Sequence, residues 1–180
     1  MVLRSSNNTA VLDELVKFLR AELLKTWKAQ GHYMNGAVVR EADFVLETKL
    51  NSLDLSIFMF PYGGYIESGV SASNIPYSGN SGSGGTSKYI QALIGYAMKR
   101  MSLPDQKAKQ VAFAIATKQK REGMPTAASK RFSSTGKRTM WIEDTMKRNE
   151  SKIQELLFEY VDIVFTTTFE NIILKYTRTT

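Results

Sequence analysis

The sequence contains no cysteine, which removes disulfides, thiolate nucleophiles and cysteine-ligated zinc from consideration. It contains one histidine, His32, so a histidine-rich metal centre is impossible. A Ser-His-Asp arrangement would rest on that single side chain, beside Gly31 in an expected loop. No apolar run approaches the roughly 18–20 residues needed to span a bilayer. The stretch MVLRSSNNTA lacks the apolar centre of a secretory signal. The expectation is a soluble chain, made in the cytosol, with no membrane contact. A phosphate loop is missing as well: Gly85 is followed by Thr86-Ser87-Lys88, where that chemistry needs Gly-Lys-Ser/Thr opening a helix. Asp43 and Glu47 fall on the polar side of an expected strand, and Glu143 and Asp144 sit among lysines and arginines. Neither pair forms an acid–base arrangement. These absences lead to the expectation of a protein that is not an enzyme and uses no cofactor or metal.

What is present patterns well. The length of 180 residues suits a single domain. Leu12, Leu15, Val16, Leu19 and Leu23 recur at helical spacing, with Trp27 continuing the stripe, which predicts an amphipathic helix over 9–30 stopped by Gly31. The period then changes to two. Phe44, Leu46, Thr48 and Leu50 alternate with Asp43, Val45, Glu47 and Lys49, and the alternation resumes with Leu53, Leu55, Ile57 and Met59 after Asn51-Ser52. With Asn51-Ser52 as a two-residue turn, Leu50 faces Leu53, Leu46 faces Ile57 and Phe44 faces Met59 in an antiparallel hairpin. Ser and Gly crowd the segment 71–86, an expected long loop.

Two helices should follow. The first carries Ile90, Leu93, Ile94, Ala97, Met98 and Met101. The second starts at Pro104, with Ser102 near its cap, carries Val111, Ala112, Ile115 and Ala116, and ends near Gly123. A basic loop spans 123–139, and a helical turn is expected near Trp141 and Met146. Ile153, Leu156, Leu157, Tyr160, Val161, Val164 and Phe165 then predict a long C-terminal helix, extended through Phe169, Ile172 and Tyr176 unless the β-branched FTTTF run breaks it. The fold class expected is α+β: an N-terminal amphipathic helix, a hairpin or small sheet, a helical pair, and a long C-terminal helix packed on the sheet.

The net charge of +7 is unevenly spread. Between Lys99 and Arg138 there are eleven Lys or Arg and two carboxylates, a local balance of +9, while the remainder carries −2. Such asymmetry points to a polyanion or to an acidic partner surface. Lys118, Lys120 and Arg121 end a helix, where cations favour the dipole. Lys130, Arg131, Lys137 and Arg138 lie in a loop rich in Ser, Thr and Gly, the setting of phosphate contacts.

One short stretch is distinctive. In PYGGYIESGV, Pro61 is expected to end the second strand, Gly63 and Gly64 to turn the chain, and Gly69 to allow another tight turn. Tyr62, Tyr65 and Ile66 supply large area for a core corner or an interface. The stretch resembles the Tyr-Ala-x-Tyr-Val-Glu-x-Gly-Thr pattern of the minor tail component family of tailed bacteriophages, also called tail-completion, neck or head–tail joining proteins. Tyr62, Tyr65, Ile66, Glu67 and Gly69 match, while Gly63 and Val70 depart from it. The order of elements is similar too, although GMPTAASKRF lacks the second proline of that family's Pro-x-x-Pro-Phe segment.

The resemblance implies a structural virion protein, assembled in the bacterial host cytoplasm. It would form a ring of six or twelve copies in the neck or tail, around the channel through which DNA leaves. Partners would be the portal or head–tail connector and tail proteins, with Tyr62, Tyr65, Glu67 and Gly69 at the subunit interface. Lys118, Lys120, Arg121, Lys130, Arg131, Lys137 and Arg138 would face genomic DNA, as transient phosphate-backbone contacts, or an acidic neighbour. The alternative is a non-catalytic nucleic-acid-binding protein using segment 118–138.

Overall fold

The computed structural model describes residues 6–32, 41–48, 53–79 and 86–177. It is α+β, mostly helical with one two-stranded antiparallel sheet. In chain order the elements are α1 (Ser6–Ala29), β1 (Asp43–Thr48), β2 (Leu53–Phe58), α2 (Pro61–Ser68), α3 (Lys88–Met101), α4 (Asp105–Glu122), α5 (Trp141–Arg148) and α6 (Glu150–Thr177). Short 3-10 turns cover Ala72–Asn74 and Ala127–Phe132. Where the sequence suggests one domain, the packing divides into two compact units. The first comprises Met1–Thr26, Ala37–Met59 and Ile142–Thr180; the second comprises Trp27–Gly36 and Phe60–Trp141.

In the first unit, Val11, Leu15 and Leu19 fall one turn apart on α1 and are buried with Leu156 and Tyr160 of α6. Phe44 of β1 packs against this cluster. Arg20 ties the strand to α1, donating to the Ala42 carbonyl at 3.1 Å and lying 5.0 Å from the centroid of the Phe44 ring. A buried polar link accompanies the apolar core. Thr145 donates to the Thr26 hydroxyl at 2.7 Å, Arg148 donates to the same oxygen at 2.8 Å, and Thr26 donates to the Glu22 carbonyl at 3.1 Å.

The hairpin forms, with a register two residues from the expected one. Phe44 pairs with Ile57 rather than Met59, Leu46 with Leu55 rather than Ile57, and the ladder ends at Thr48 opposite Leu53. A two-residue shift leaves every side chain on its original face, so alternation alone is blind to it. The Asn51-Ser52 turn and the Leu50–Leu53 pairing lie outside the described residues.

In the second unit, α3 and α4 pack through small residues. Ala97 on α3 and Ala108, Ala112 and Ala116 on α4 are fully buried, and the absence of side-chain bulk lets the backbones approach. The hydroxyl of Tyr89 on α3 donates to Gln119 on α4. Ser87 caps α3, accepting from Ile90 N at 3.3 Å. Ser102 is not a cap of α4: it closes α3 in the left-handed conformation, with φ 52°, and Pro104 precedes α4 instead.

The chain turn expected at Gly63-Gly64 is instead part of a helix, which ends before Gly69. Pro61 occupies its first turn, where a missing N–H costs nothing, and Gly63 and Gly64 are carried inside it. The long loop at 71–86 includes the Ala72–Asn74 turn, and its residues 80–85 lie outside those described. α6 runs unbroken through FTTTF to Thr177.

Candidate functional site

The second unit contains a cavity of about 1350 Å³. Its walls come from α2, α3, α4 and the 3-10 turn after α4, and are largely apolar: Ile66, Ile75, Leu93, Val111, Ile115 and Met124 contribute. Tyr62, Tyr65 and Gly69 of the distinctive stretch line it, as do Lys118, Arg131 and Arg138 from the basic segment. The fold therefore brings together parts of two groups that lie far apart in the chain. Glu67, Lys120, Arg121, Lys130 and Lys137 are not among its lining residues. No carboxylate lines the cavity among the described residues.

The tyrosines are on the outside of their short helix. Tyr62 and Tyr65 are exposed, and Tyr62 stacks on Phe60 with centroids 6.0 Å apart. Glu67 is half-buried, and its carbonyl accepts from Met140 N at 2.9 Å. Gly69 has φ 75°, and a Cβ there would sit 2.8 Å from the Met124 carbonyl oxygen. That glycine serves a close approach within the chain: the next residue, Val70, pairs with Met124 through two backbone hydrogen bonds of 2.8 Å.

The seven basic side chains separate by role. Lys118 and Arg121 both pair with Glu122, at 2.7 and 3.0 Å. The hydrogen bond from Lys118, then that from Arg121, hold the Glu122 carboxyl down to about 2. Lys120 donates to the Ile75 carbonyl at 3.2 Å, and Arg131 lies 4.8 Å from the centroid of the Phe132 ring. Arg138 is half-buried and donates to the carbonyls of Ser129 and Gly31, each at 3.3 Å. Lys130 and Lys137 are exposed on the surface.

His32, which the sequence leaves as a loop residue, belongs to the anchoring of Arg138. Its Nδ1 faces Arg138 Nη2 at 3.4 Å and its Nε2 faces Gln30 Oε1 at 3.3 Å. Gln30 is fully buried and donates onward to the Thr139 carbonyl at 3.0 Å. Since the arginine can only donate, the network selects the tautomer with the proton on Nε2. Burial, and then the charge of Arg138, lower the His32 pKa to about 4, so the ring is neutral at neutral pH. The ring packs 4.9 Å from Trp27, which meets Trp141 edge-on at 4.8 Å. This is a structural cluster that fixes one wall of the cavity.

A second candidate surface lies on α6 of the first unit. Helical geometry puts Phe158, Val161, Phe165, Phe169, Ile172 and Tyr176 on one stripe, about 160° round the helix from the face that carries Leu156 and Tyr160. All six are exposed, Phe158 at 72%, Phe165 at 69% and Tyr176 at 74%. Glu155, Glu159, Asp162 and Glu170, also exposed, run along the edge of that stripe. The apolar spacing from Ile153 to Phe165 runs the two faces together, so that Val161 and Phe165 fall with the core residues in the stripe expected from sequence. The signal that separates them is the regular three- and four-residue spacing from Phe158 to Tyr176.

Among the described residues, no group of histidine, aspartate and glutamate could hold a metal ion, and no helix is long and apolar enough to cross a membrane. Comparison with protein families, curated proteins and solved structures gives no match.

Proposed function

We propose that the chain is a structural virion protein of a tailed bacteriophage, a ring-forming neck or tail-completion subunit that joins the head assembly to the tail around the DNA channel. The observation that carries the assembly reading is the exposed apolar stripe on α6, in which Phe158, Phe165, Phe169, Ile172 and Tyr176 are all at least 49% exposed. Monomeric proteins in water rarely expose a contiguous apolar patch beyond a few hundred Å². A long aromatic stripe of this kind is covered when subunits associate. The resemblance of the 61–70 stretch supplies the particular assembly.

The role of the basic segment is narrower in this reading than its charge suggests. Four of its seven cations are engaged by Glu122, Ile75, Gly31 or Ser129 within the chain. A neck protein needs few phosphate contacts, because DNA must pass rather than stay bound.

The test is the mass of the purified protein by light scattering, with and without short duplex DNA at low and moderate salt, followed by electron microscopy of any assembled fraction. Closed rings whose mass ignores DNA are the expected result. A monomer at every concentration would overturn self-assembly. Salt-sensitive binding of DNA by a monomer would favour the nucleic-acid-binding alternative.

A further inference from the structure

Resting on the ring reading, we infer that the subunits join head to tail, with the acidic-edged aromatic stripe of α6 of one copy seated in the basic, apolar cavity of the second unit of the next copy. The two surfaces are complementary in both chemical respects that matter. The cavity offers apolar walls and the exposed cation Arg131, beside Lys118, which pairs with Glu122, and Arg138, which Gly31 and Ser129 hold, with no carboxylate among its described lining residues. The α6 surface offers Phe158, Val161, Phe165 and Phe169 beside Glu159, Asp162 and Glu170, whereas Glu155 pairs with Lys152 at 2.8 Å.

Size points the same way. Pockets for small ligands occupy about 300–1,000 Å³. A volume of about 1350 Å³ is generous for a metabolite and suits several side chains presented by a helix. The helix-in-groove mode uses anchors at three- and four-residue spacing, which is the spacing of the α6 stripe.

Neither surface pairs well with itself. Two α6 stripes brought together would join two acid-edged surfaces, and two cavities would join two surfaces that each carry an exposed Arg131. Like charges across an interface are costly, so a two-fold contact is disfavoured on both sides. A contact between two different patches is heterologous, and heterologous contacts propagate into closed rings or open filaments. This links the chemistry of the surfaces to the ring.

Complementation by two assembly-deficient variants tests the inference. Arg131→Glu reverses a cavity charge on an exposed side chain, and Phe165→Glu spoils the α6 stripe; circular dichroism checks that each is folded. Glu159→Lys replaces the second variant if Phe165→Glu does not fold, and Arg131→Ser replaces the first. Light scattering is then applied to the wild type, to each variant alone and to an equimolar mixture.

Wild type should assemble beyond a dimer, and each variant alone should associate at least about tenfold more weakly. The mixture should form a one-to-one pair that grows no further, because only one intact α6 meets one intact cavity. An Arg131→Glu protein that assembles like wild type overturns the inference and leaves the ring reading standing, as does a mixture that remains monomeric. Wild-type protein that never assembles removes the ring reading itself.

Discussion

At the scale of single residues, His32 and Gly123 show how much the packing of the second unit depends on individual positions. The His32 ring is neutral in the folded protein down to about pH 4, whereas in an unfolded chain histidine titrates near its ordinary 6.5. As pH falls between those values the unfolded state takes up the proton first. The contribution of this residue is therefore complete above about pH 6.5, declines towards pH 4 and is level below it. Thermal melts from pH 7.5 to 4.5 should show a steeper loss in the wild type than in His32→Gln. Equal slopes would mean that the ring is hydrated and protonates freely in the folded state.

Gly123 tests a different physical cause. It has φ 79°, and an added Cβ would lie 2.5 Å from the Val70 carbonyl oxygen. Gly123→Ala should cost about 1–3 kcal/mol by urea denaturation, from strain in the left-handed region and from displacement of the Val70–Met124 bridge. Arg138 belongs to the same scale. Its sequence context reads as a phosphate-contacting loop, but Gly31, His32 and Ser129 hold it. Contacts between residues more than a hundred positions apart leave no local signature, so neither its anchoring nor the role of His32 could be read from spacing.

At the scale of elements, α6 carries one buried apolar face and one exposed apolar face. Leu156 is 1% exposed in the core of the first unit, so Leu156→Ala should destabilise the isolated subunit by about 2–5 kcal/mol. Phe169 is 55% exposed, so Phe169→Ala should change subunit stability by less than about 0.5 kcal/mol while weakening association. Denaturation curves of dilute protein together with sedimentation at high concentration would check both. A large loss of stability in Phe169→Ala would show that its ring is covered within the chain.

Legibility differs between elements for physical reasons. α1 and α4 are readable because one buried face and clear end signals make a single period dominate, and the hairpin is readable as a hairpin because its period is two. Its register is not, since pairing Phe44 with Ile57 or with Met59 leaves the same faces inside. Pro61 is ambiguous by nature: a residue able to end a strand by lacking a donor is equally suited to open a helix, and here β2 stops at Phe58 and Pro61 opens α2. For α6, apolar residues on two faces look like one broad stripe until a neighbour is seen to cover only one of them. Of the candidate site, the Tyr62–Gly69 stretch and the basic segment stood out locally, whereas the walls from Leu93, Val111 and Ile115 required the packing of α3 on α4.

At the scale of the whole molecule, net charge and exposed apolar surface act against each other. The chain carries +7 at neutral pH, which keeps free subunits apart by mutual repulsion. Its isoelectric point is about 9.5, so raising the pH removes that repulsion while the α6 stripe stays apolar. Dilute protein should therefore become turbid as pH approaches about 9.5, and Phe165→Glu should be less prone to do so. Equal turbidity in both proteins would show that the stripe does not drive association.

The outer end of α6 has a further consequence. Residues 168–177 are helical, yet every one of them is exposed, and the contacts that hold the last turns are local to the helix, such as the Phe165–Phe169 stack and the Thr177 hydroxyl on the Ile173 carbonyl. A ten-residue helical segment without cover frays readily in water. Its amide protons should trade with deuterated solvent within seconds in the free subunit and become protected by orders of magnitude once a neighbour covers the segment. On the proposed assembly, the end of this helix would act as its clock hand, readable by hydrogen exchange without any label.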